Sequence, residues 1–390
     1  MKKMDRREFL LTSTSALLYA GSGRLSRADS GSDNPPPAVL PREAEAVRGR
    51  HSLKEHARKR GLLTGAAVVV KALQSDPALQ RLIAEQYEIL VPENELKWVA
   101  LRPSQDRFDF TPSDALFAFA ETRHLQVRGH TLVWHNSVPD WLKNASSKLD
   151  VRQLFVEHIR TVVGRYRGRV HSWDVVNEAI SPEDAQPGNL RKSFWSESIG
   201  PDYIDLAFRT AREADPHVRL GYNDYSVEYD SPDQAVRRDS ILALVRGLRE
   251  RKVPIDAVGI QAHIRAGATS PIGKGLASYI ESLRQMGLEV FVTEMDVNED
   301  DLPFDDVAQR DAAVARTYRE FLDVALANPA VKAVLTWGIS DRRTWLNESQ
   351  SHQRKHPNRQ QRALPFDRDY RPKDAFFAIR DSFDASHAST

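Results

Sequence analysis

The feature that most constrains the fold is a regular alternation of short apolar runs with segments of helical period. The eight runs occupy residues 62–69, 89–91, 126–133, 172–177, 218–225, 257–264, 289–297 and 333–339. Between them, Ser231, Pro232 and Asp233 start one amphipathic stretch, and residues 311–327 form another. This pattern predicts an α/β fold, a (β/α)8 TIM barrel formed as a single domain. An open doubly wound sheet is the alternative, but no glycine-rich phosphate loop follows an early strand.

The first 28 residues are typical of an export signal. Four lysines and arginines precede an uncharged stretch at 9–23, which is short for a membrane span. Residues 5–10 (DRREFL) resemble a twin-arginine signal, whose substrates cross the membrane folded. An ordinary secretory peptide or a disordered basic start are the alternatives, and Ala20 and Ala28 are candidate cleavage positions. We expect a periplasmic or secreted protein without stable membrane association after export.

The remaining chain divides into a linker at 29–50, a catalytic domain at 51–385 and a tail at 386–390. The linker contains three consecutive prolines at 35–37. Without residues 1–28 the chain has 49 basic and 52 acidic residues, so no basic surface argues for a nucleic-acid partner. The chain has no cysteine, which excludes disulfides and thiolate chemistry. We expect a monomer that needs no cofactor and no metal.

Polar and aromatic side chains follow seven of the eight predicted strands. Chemistry in these barrels gathers at the carboxyl ends of the strands. The side chains at these ends are Glu93 and Asn94 (second strand), His130 and Trp134 (third), Asn177 and Glu178 (fourth), Asn223 and Tyr225 (fifth), Gln261 and His263 (sixth), Glu294 and Asp296 (seventh), and Trp337 (eighth). Their common position predicts one site at one end of the barrel.

Two of these strands end on a glutamate. Residues 173–178 and 290–297 are otherwise typical of strands buried on both faces, where a carboxylate is costly unless it is solvated, paired or used. Paired carboxylates at one end of a barrel are the usual equipment for cleaving a glycosidic bond. A buried ion pair that closes the barrel mouth is the alternative for either glutamate.

Seven short motifs resemble glycoside hydrolase family 10, whose members are chiefly endo-β-1,4-xylanases. They are 92–98 (PENELKW), 129–135 (GHTLVWH), 173–178 (WDVVNE), 222–225 (YNDY), 261–263 (QAH), 293–296 (TEMD) and 336–338 (TWG). The resemblance covers about residues 62–377, with the motifs in the order of the family. It implies hydrolysis of internal bonds of xylan or xylo-oligosaccharides with retention of anomeric configuration.

The resemblance also implies roles for the catalytic residues. Glu178 is similar to the general acid/base and Glu294 to the nucleophile, and retention implies that their carboxyl groups lie roughly 5–5.5 Å apart. Asn177 is placed to bond the sugar 2-hydroxyl. His263 is similar to the histidine that is hydrogen-bonded to the nucleophile, with Asp296 as the partner of that histidine. The alternative is that His263 only packs in the fold, with its hydrogen bonds satisfied there.

Substrate-binding residues follow from the same resemblance. The implied set comprises polar contacts at Glu93, Asn94, Lys97, His130, Asn223 and Gln261, ring walls at Trp134, Trp337 and Trp345, and a platform on the leaving-group side at Tyr225. The alternatives are capping and ion pairing for the polar residues, such as a Glu93–Lys97 pair, and core packing for the tryptophans. We assign Trp141, Trp173 and Trp195 to packing.

Two departures from the family pattern bear on specificity. The loop at 347–363 is long and carries Arg354, Lys355, Arg359 and Arg362. It either overhangs the cleft and attracts uronic-acid side groups or is a solvated insertion. Ser226 stands where many members have asparagine, which weakens the prediction for the leaving-group side.

Three other functions remain open. The first is a different retaining barrel glycosidase, such as an endo-β-1,4-glucanase. The second is a metal-dependent hydrolase that uses His130, His135, His263 and Asp296, although the histidines lack tight ligand spacing. The third is a non-catalytic carbohydrate-binding protein, which would not need both carboxylates.

Overall fold

The computed structural model describes residues 47–348 and 354–385. The predicted export signal, most of the predicted linker, residues 349–353 of the basic loop and the predicted tail lie outside the described residues. Within the described ranges, no helix is both long enough and apolar enough to cross a membrane.

Eight parallel strands close into a barrel. They are β1 (Leu63–Val68), β2 (Ile89–Pro92), β3 (Gln126–Gly129), β4 (Ser172–Asn177), β5 (Arg219–Asp224), β6 (Ala257–Ile260), β7 (Glu289–Asn298) and β8 (Val331–Thr336). Each strand pairs with its sequence neighbours, and β8 pairs with both β7 and β1, which closes the sheet on itself. There are also two short strands: Val133–Trp134 pairs with β4, and His263–Arg265 pairs with β7. The predicted TIM barrel is confirmed.

Three predicted strands differ from the structure by more than one residue. The run at 257–264 is interrupted, because β6 ends at Ile260 and the short strand begins at His263. The run at 126–133 is interrupted, because β3 ends at Gly129 and pairing resumes only at Val133. The run at 333–339 is shifted: β8 begins at Val331, and Trp337 and Ile339 belong to the buried segment after the strand. Apolar composition reports burial, and a loop folded over a barrel is as buried as the strand before it.

Helices connect the strands and cover the outside of the barrel. They are Leu53–Lys59, Val70–Ser75, Pro77–Gln86, Trp98–Leu101, Thr111–Thr122, Asp140–Ala145, Val151–Arg165, Phe194–Ile199, Tyr203–Ala214, Pro232–Glu250, Lys274–Gln285, Val307–Ala325, Trp345–Glu348 and Asp374–Asp384, with single 3-10 turns at Gly49–His51, Ser146–Lys148, Pro182–Asp184, Pro187–Asn189 and Asp341–Arg343. The helix predicted after Ser231 begins at Pro232. The helix predicted at 311–327 begins earlier, at Val307, because the Asp306 carboxylate caps it by accepting from the Gln309 N–H at 2.9 Å.

Apolar side chains fill both the barrel and the space between barrel and helices. The interior cluster consists of Ala67, Ile89, Val91, Ala257, Phe291, Ala333, Leu335 and Trp337. At the amino end, Val47 is buried and its carbonyl accepts a hydrogen bond from Gln86 Nε2 at 2.7 Å. Val47, which the sequence assigned to the linker, therefore packs against the helix Pro77–Gln86, whereas residues 48–50 are exposed.

Candidate active site

Side chains from four adjacent strand ends meet in one hydrogen-bonded network. Asn223, at the end of β5, donates through Nδ2 to Asn177 Oδ1 at 2.9 Å and to Glu294 Oε1 at 2.7 Å. Gln261, after β6, donates to Glu178 Oε1 at 3.0 Å. The two glutamates predicted from separate strands are thus joined through one network at the carboxyl end of the barrel.

Glu178 follows β4 with its backbone in the left-handed region, at φ 57°. Its Oε2 accepts from Trp134 Nε1 at 2.8 Å, and His135 Nδ1 lies 3.7 Å from the same oxygen. Its Oε1 accepts from Asn177 Nδ2 at 3.2 Å in addition to Gln261. The carboxyl group is therefore oriented from both of its oxygens.

Glu294 lies on β7 and is only 5% exposed. Burial by itself raises the pKa of this carboxyl group. The hydrogen bond from His263, the charges of His130 and His263, and the hydrogen bond from Asn223 outweigh burial and hold the pKa below its ordinary value. Glu294 is therefore an ionised carboxylate at neutral pH, which is the state that a nucleophile requires.

His263 links Glu294 to Asp296. Its Nε2 lies 3.2 Å from Glu294 Oε2 and its Nδ1 lies 3.0 Å from Asp296 Oδ1. Burial lowers the pKa of this imidazole, but the Asp296 charge and the hydrogen bonds to both carboxylates raise it well above its ordinary value. Trp345 Nε1 donates to Asp296 Oδ2 at 2.6 Å. The predicted arrangement of Glu294, His263 and Asp296 is present, with the histidine charged and donating from both nitrogens.

Asn223 has a different role from the predicted one. It was expected to contact the substrate, but it is 0% exposed, and its Oδ1 accepts from Thr293 Oγ1 at 2.8 Å. Gly259 on β6 makes room for it, because a Cβ at that position would lie 2.1 Å from Asn223 Oδ1. Asn223 therefore orients Asn177 and Glu294 from beneath the cleft.

His130 is held by residues that the sequence analysis did not select. Its Nδ1 lies 3.0 Å from Asp174 Oδ2, and Arg128 also donates to Asp174, with all three side chains inside the barrel. Asp174 is a carboxylate within the buried strand β4, where it is as costly as Glu178 and Glu294 unless it is paired. The sequence therefore carried the same signal for Asp174.

Two other predicted polar contacts, Asn94 and Lys97, follow the carboxyl end of β2. Asn94 is exposed, and Lys97 Nζ lies 3.2 Å from Asn94 Oδ1 and 4.8 Å from the centroid of the Trp134 ring. Burial lowers the pKa of Lys97, opposed by the charges of Glu294, Glu93 and Glu178. The charges of these three carboxylates therefore favour the protonated form of Lys97 against the effect of burial.

Aromatic rings lie beside the histidines that contact or face Glu294. The Trp337 ring centroid lies 5.2 Å from that of His130, and the Trp345 centroid lies 5.2 Å from that of His263. On the opposite side, Tyr225 is half-buried and its hydroxyl accepts from Arg191 Nη2 at 3.0 Å. Of the tryptophans assigned to packing, Trp173 and Trp195 are buried, and the half-buried Trp141 donates to the Arg102 carbonyl at 2.9 Å.

Comparison with known proteins identifies this architecture. Residues 52–382 match the model of glycosyl hydrolase family 10. The chain belongs to this family. Endo-1,4-beta-xylanase B of Thermotoga neapolitana is 36% identical over 298 residues, which cover 76% of this chain and 80% of that protein. Native xylanase 10B from Thermotoga maritima has a TM-score of 0.76 at 34% identity, covering 85% of this chain and 98% of that chain. Xylanase 10B from Thermotoga petrophila RKU-1, in complex with xylobiose, has a TM-score of 0.76 at 33% identity, covering 85% and 97%.

The long basic loop of this family 10 protein is anchored to the segment after β7. Arg359 Nη2 donates to the Glu299 carbonyl at 2.8 Å, and Arg359 Nη1 donates to the Leu302 carbonyl at 3.0 Å. Arg362 makes two bonds to the Asp311 carboxylate, at 2.7 and 2.6 Å. Lys355 Nζ lies 2.6 Å from Asp301 Oδ1. In the described part of the loop, these cations bind the protein itself, which disfavours the uronic-acid hypothesis.

The histidines of this family 10 site do not form a metal centre in the part of the chain that the structure describes. No group of three or more His, Asp or Glu residues there is arranged to hold an ion. His130 and His263 are instead engaged by Asp174 and Asp296. The candidate ligands of the alternative hydrolase hypothesis are thus used to orient one another and the two glutamates.

Proposed function

We propose that this protein is an endo-β-1,4-xylanase that hydrolyses internal bonds of xylan with retention of anomeric configuration. The observation that carries the proposal is that two glutamates from separate strand ends meet in one network, in which one of them is held ionised. Glu294 is kept ionised by the charged His263, and the Glu178 carboxyl group, held by Trp134, Gln261 and Asn177, belongs to the same hydrogen-bonded network. An ionised nucleophile beside a separate acid is what double displacement requires.

In the first step, a Glu294 oxygen attacks C1 of the xylose on the non-reducing side of the scissile bond. The bond from C1 to the glycosidic oxygen breaks, and that oxygen takes the proton of the Glu178 carboxyl group. The shortened chain leaves with a new hydroxyl group. The products are a covalent glycosyl ester on Glu294 and an ionised Glu178.

In the second step, Glu178 acts as a base. It removes a proton from a water molecule whose oxygen attacks C1, and the ester bond to Glu294 breaks. Glu294 returns to its ionised state and Glu178 to its protonated state. Two inversions at C1 restore the original β configuration in the product.

His263 and Asp296 support the departure of Glu294 as well as its attack. When the ester breaks, negative charge returns to Glu294 Oε2 or Oε1, and His263 Nε2 faces the former at 3.2 Å. Asp296 keeps His263 charged through the contact to Nδ1 at 3.0 Å. A preorganised cation at this place stabilises the leaving carboxylate without reorganisation of solvent.

The substrate is proposed to be xylan or its oligosaccharides. Relatives named endo-1,4-beta-xylanase B and beta-1,4-xylanase, and the neighbour in complex with xylobiose, support this choice. In this proposal, Asn94, Lys97 and Trp134 contact the sugars on the non-reducing side. Tyr225 is proposed to contact the sugar on the leaving-group side.

The decisive experiment is proton NMR of xylohexaose during hydrolysis by the domain at 47–385. A β-anomer that appears first and then mutarotates supports both the substrate and the double displacement. An α-anomer that appears first contradicts retention. Carboxymethylcellulose serves as the comparison substrate: preferential cleavage of it would favour the endoglucanase alternative, and cleavage of neither would favour a binding protein.

We also propose export by the twin-arginine route and a monomeric mature protein. The support for export is the DRREFL segment at residues 5–10 and the uncharged stretch that follows. Replacing both Arg6 and Arg7 by lysine should retain the enzyme in the cytoplasm, as measured by activity in cell fractions. Export that is unchanged by this replacement would favour an ordinary secretory signal.

A further inference from the structure

One guanidinium connects Glu178 to Tyr225. Arg191 is 9% exposed, and its Nε donates to the Glu178 carbonyl at 2.7 Å. Its Nη2 donates to the Tyr225 hydroxyl at 3.0 Å and to the Ile180 carbonyl at 3.2 Å. The backbone N–H of Arg191 donates to the Ala179 carbonyl at 2.6 Å. Three successive carbonyls, beginning with that of Glu178, are therefore bound by this single residue.

The backbone of Glu178 needs such support. Its φ of 57° lies in a region that residues with a side chain rarely adopt, and such conformations persist where surrounding bonds over-determine them. The Glu178 N–H donates to the Asn223 carbonyl at 2.9 Å. The next N–H, of Ala179, donates to the Tyr222 hydroxyl at 3.1 Å. Arg191 Nε supplies the hydrogen bond to the carbonyl of Glu178.

Tyr225 is held by a pair of arginines. Arg191 binds its hydroxyl, and Arg237 Cζ lies 4.6 Å from the centroid of its ring. Arg237 also donates to the Ile180 carbonyl at 2.7 Å, so both arginines attach to the segment that follows the acid. The ring therefore has a defined position relative to Glu178.

We propose that Arg191 is a positioning residue that sets the distance between the acid and the platform for the departing sugar. The inference rests on the proposed function. Proton transfer needs the glycosidic oxygen within hydrogen-bonding reach of the acid, and a sugar seated on Tyr225 meets that condition only if ring and carboxyl group are fixed to each other. Arg191 acts through these two residues, and its guanidinium has no role as an acid because it does not deprotonate.

The test compares two substrates with different leaving groups. In xylotetraose the leaving group is a sugar, whose oxygen must be protonated as it departs. This sugar also occupies the leaving-group side of the cleft. The 2,4-dinitrophenyl β-xylobioside loses a phenolate that departs without protonation. For Arg191→Met we expect kcat/KM to fall about 100-fold on xylotetraose and less than about threefold on the aryl substrate.

An equal loss on both substrates would mean that Arg191 only maintains the fold and would overturn the inference. Unchanged kcat/KM on both would overturn it as well. Arg102→Met is the matched control, since Arg102 is also buried and donates to the Gln105 and Leu154 carbonyls, away from the site. It should affect both substrates equally.

A second variant decides the question if Arg191→Met does not fold. Tyr225→Phe removes only the oxygen that accepts from Arg191, and it should also lower kcat/KM on xylotetraose more than on the aryl substrate. Equal effects on both would overturn the inference. The wild-type protein tests the proposed function separately: if it cleaves neither substrate, the proposed function fails, whereas normal wild-type cleavage with equal variant effects refutes the role of Arg191 alone.

Discussion

His263 places its Nε2 atom 3.2 Å from the Oε2 atom of Glu294. The contact joins a histidine whose pKa is raised well above its ordinary value to a carboxyl group whose pKa is lowered. Each charge stabilises the other in a place where burial would otherwise neutralise both. The ionised state of Glu294 therefore depends on a neighbouring side chain from a different strand.

Replacing His263 by glutamine should move the acidic limb of the pH profile. Without the imidazolium, the pKa of Glu294 rises, so Glu294 loses its charge at a higher pH. We expect the acidic limb of kcat/KM to shift upward by about one pH unit. Kinetics on xylohexaose across the acidic range measure it, with the exposed His217→Gln as control. A limb that stays in place would show that Glu294 is not the group that titrates there.

Azide should distinguish the two glutamates. In Glu294→Ala, azide can take the place of the carboxylate and attack the activated 2,4-dinitrophenyl β-xylobioside once, giving the α-glycosyl azide. In Glu178→Ala, Glu294 still forms the ester, and azide attacks it from the other face to give the β-glycosyl azide. Both variants should lose about 10²–10⁴-fold or more in kcat on xylohexaose. NMR of the azide products checks the assignment, and the reverse configurations would exchange the two roles.

Gly259→Ala should impair catalysis without contacting the substrate. The added Cβ would lie 2.1 Å from Asn223 Oδ1 and 3.0 Å from Thr293 Cγ2, so Asn223 must move away from Glu294. We expect kcat to fall about 100-fold, as for the loss of one preorganised donor.

The matched control for this change is Gly164→Ala, since a Cβ on Gly164 would meet nothing within 4 Å. It should leave kcat unchanged and slightly stabilise its helix. Equal activity of the two alanine variants would contradict the proposed role of Asn223.

Asp224 should make stability fall as pH rises. Burial raises the pKa of this carboxyl group to about 7, opposed by Arg237 and by hydrogen bonds from Tyr222 and from the Tyr225 N–H. Its contribution is fully present below the unfolded pKa near 4 and is lost as pH rises through about 7, because the unfolded chain ionises first. Between about pH 5 and pH 8 this costs about 3 kcal/mol.

The Asp224→Asn variant has no titratable group at this position. Its stability should therefore not show this fall between about pH 5 and pH 8. Urea unfolding of both proteins at the two pH values measures the difference. Parallel pH dependence in wild type and variant would mean that Asp224 is ionised throughout this range.

Arg310 should be among the most sensitive positions for stability. Its Nε donates to Glu299 Oε2 at 2.8 Å, and Glu299 is 0% exposed. Arg310→Met leaves a buried carboxylate without its cation, which costs about 3–5 kcal/mol. Arg319→Met in the same helix breaks the exposed pair with Asp323 at 3.5 Å and should cost less than about 1 kcal/mol. Urea unfolding measures both, and similar losses would contradict the burial argument.

The sequence by itself determined the barrel and the position of its chemistry. Parallel strands all point the same way, so a glutamate at the end of an apolar run has a known place in a closed barrel. The positions of Glu178 and Glu294 in the barrel could therefore be predicted from local sequence alone. The limits of β3, β6 and β8 were not predicted correctly, because apolar loops over the barrel are buried like strands.

Only the tertiary structure decided which partner each functional side chain binds. Asn223 lies at a strand end as predicted, yet it is buried under the carboxylates because Gly259 of the neighbouring strand leaves space for it. Arg191 reaches both Glu178 and Tyr225 from the connection between β4 and β5. Such contacts depend on the path of irregular segments, which have no periodic sequence pattern. Strand ends are local features of a sequence, whereas hydrogen-bond partners are features of the folded whole.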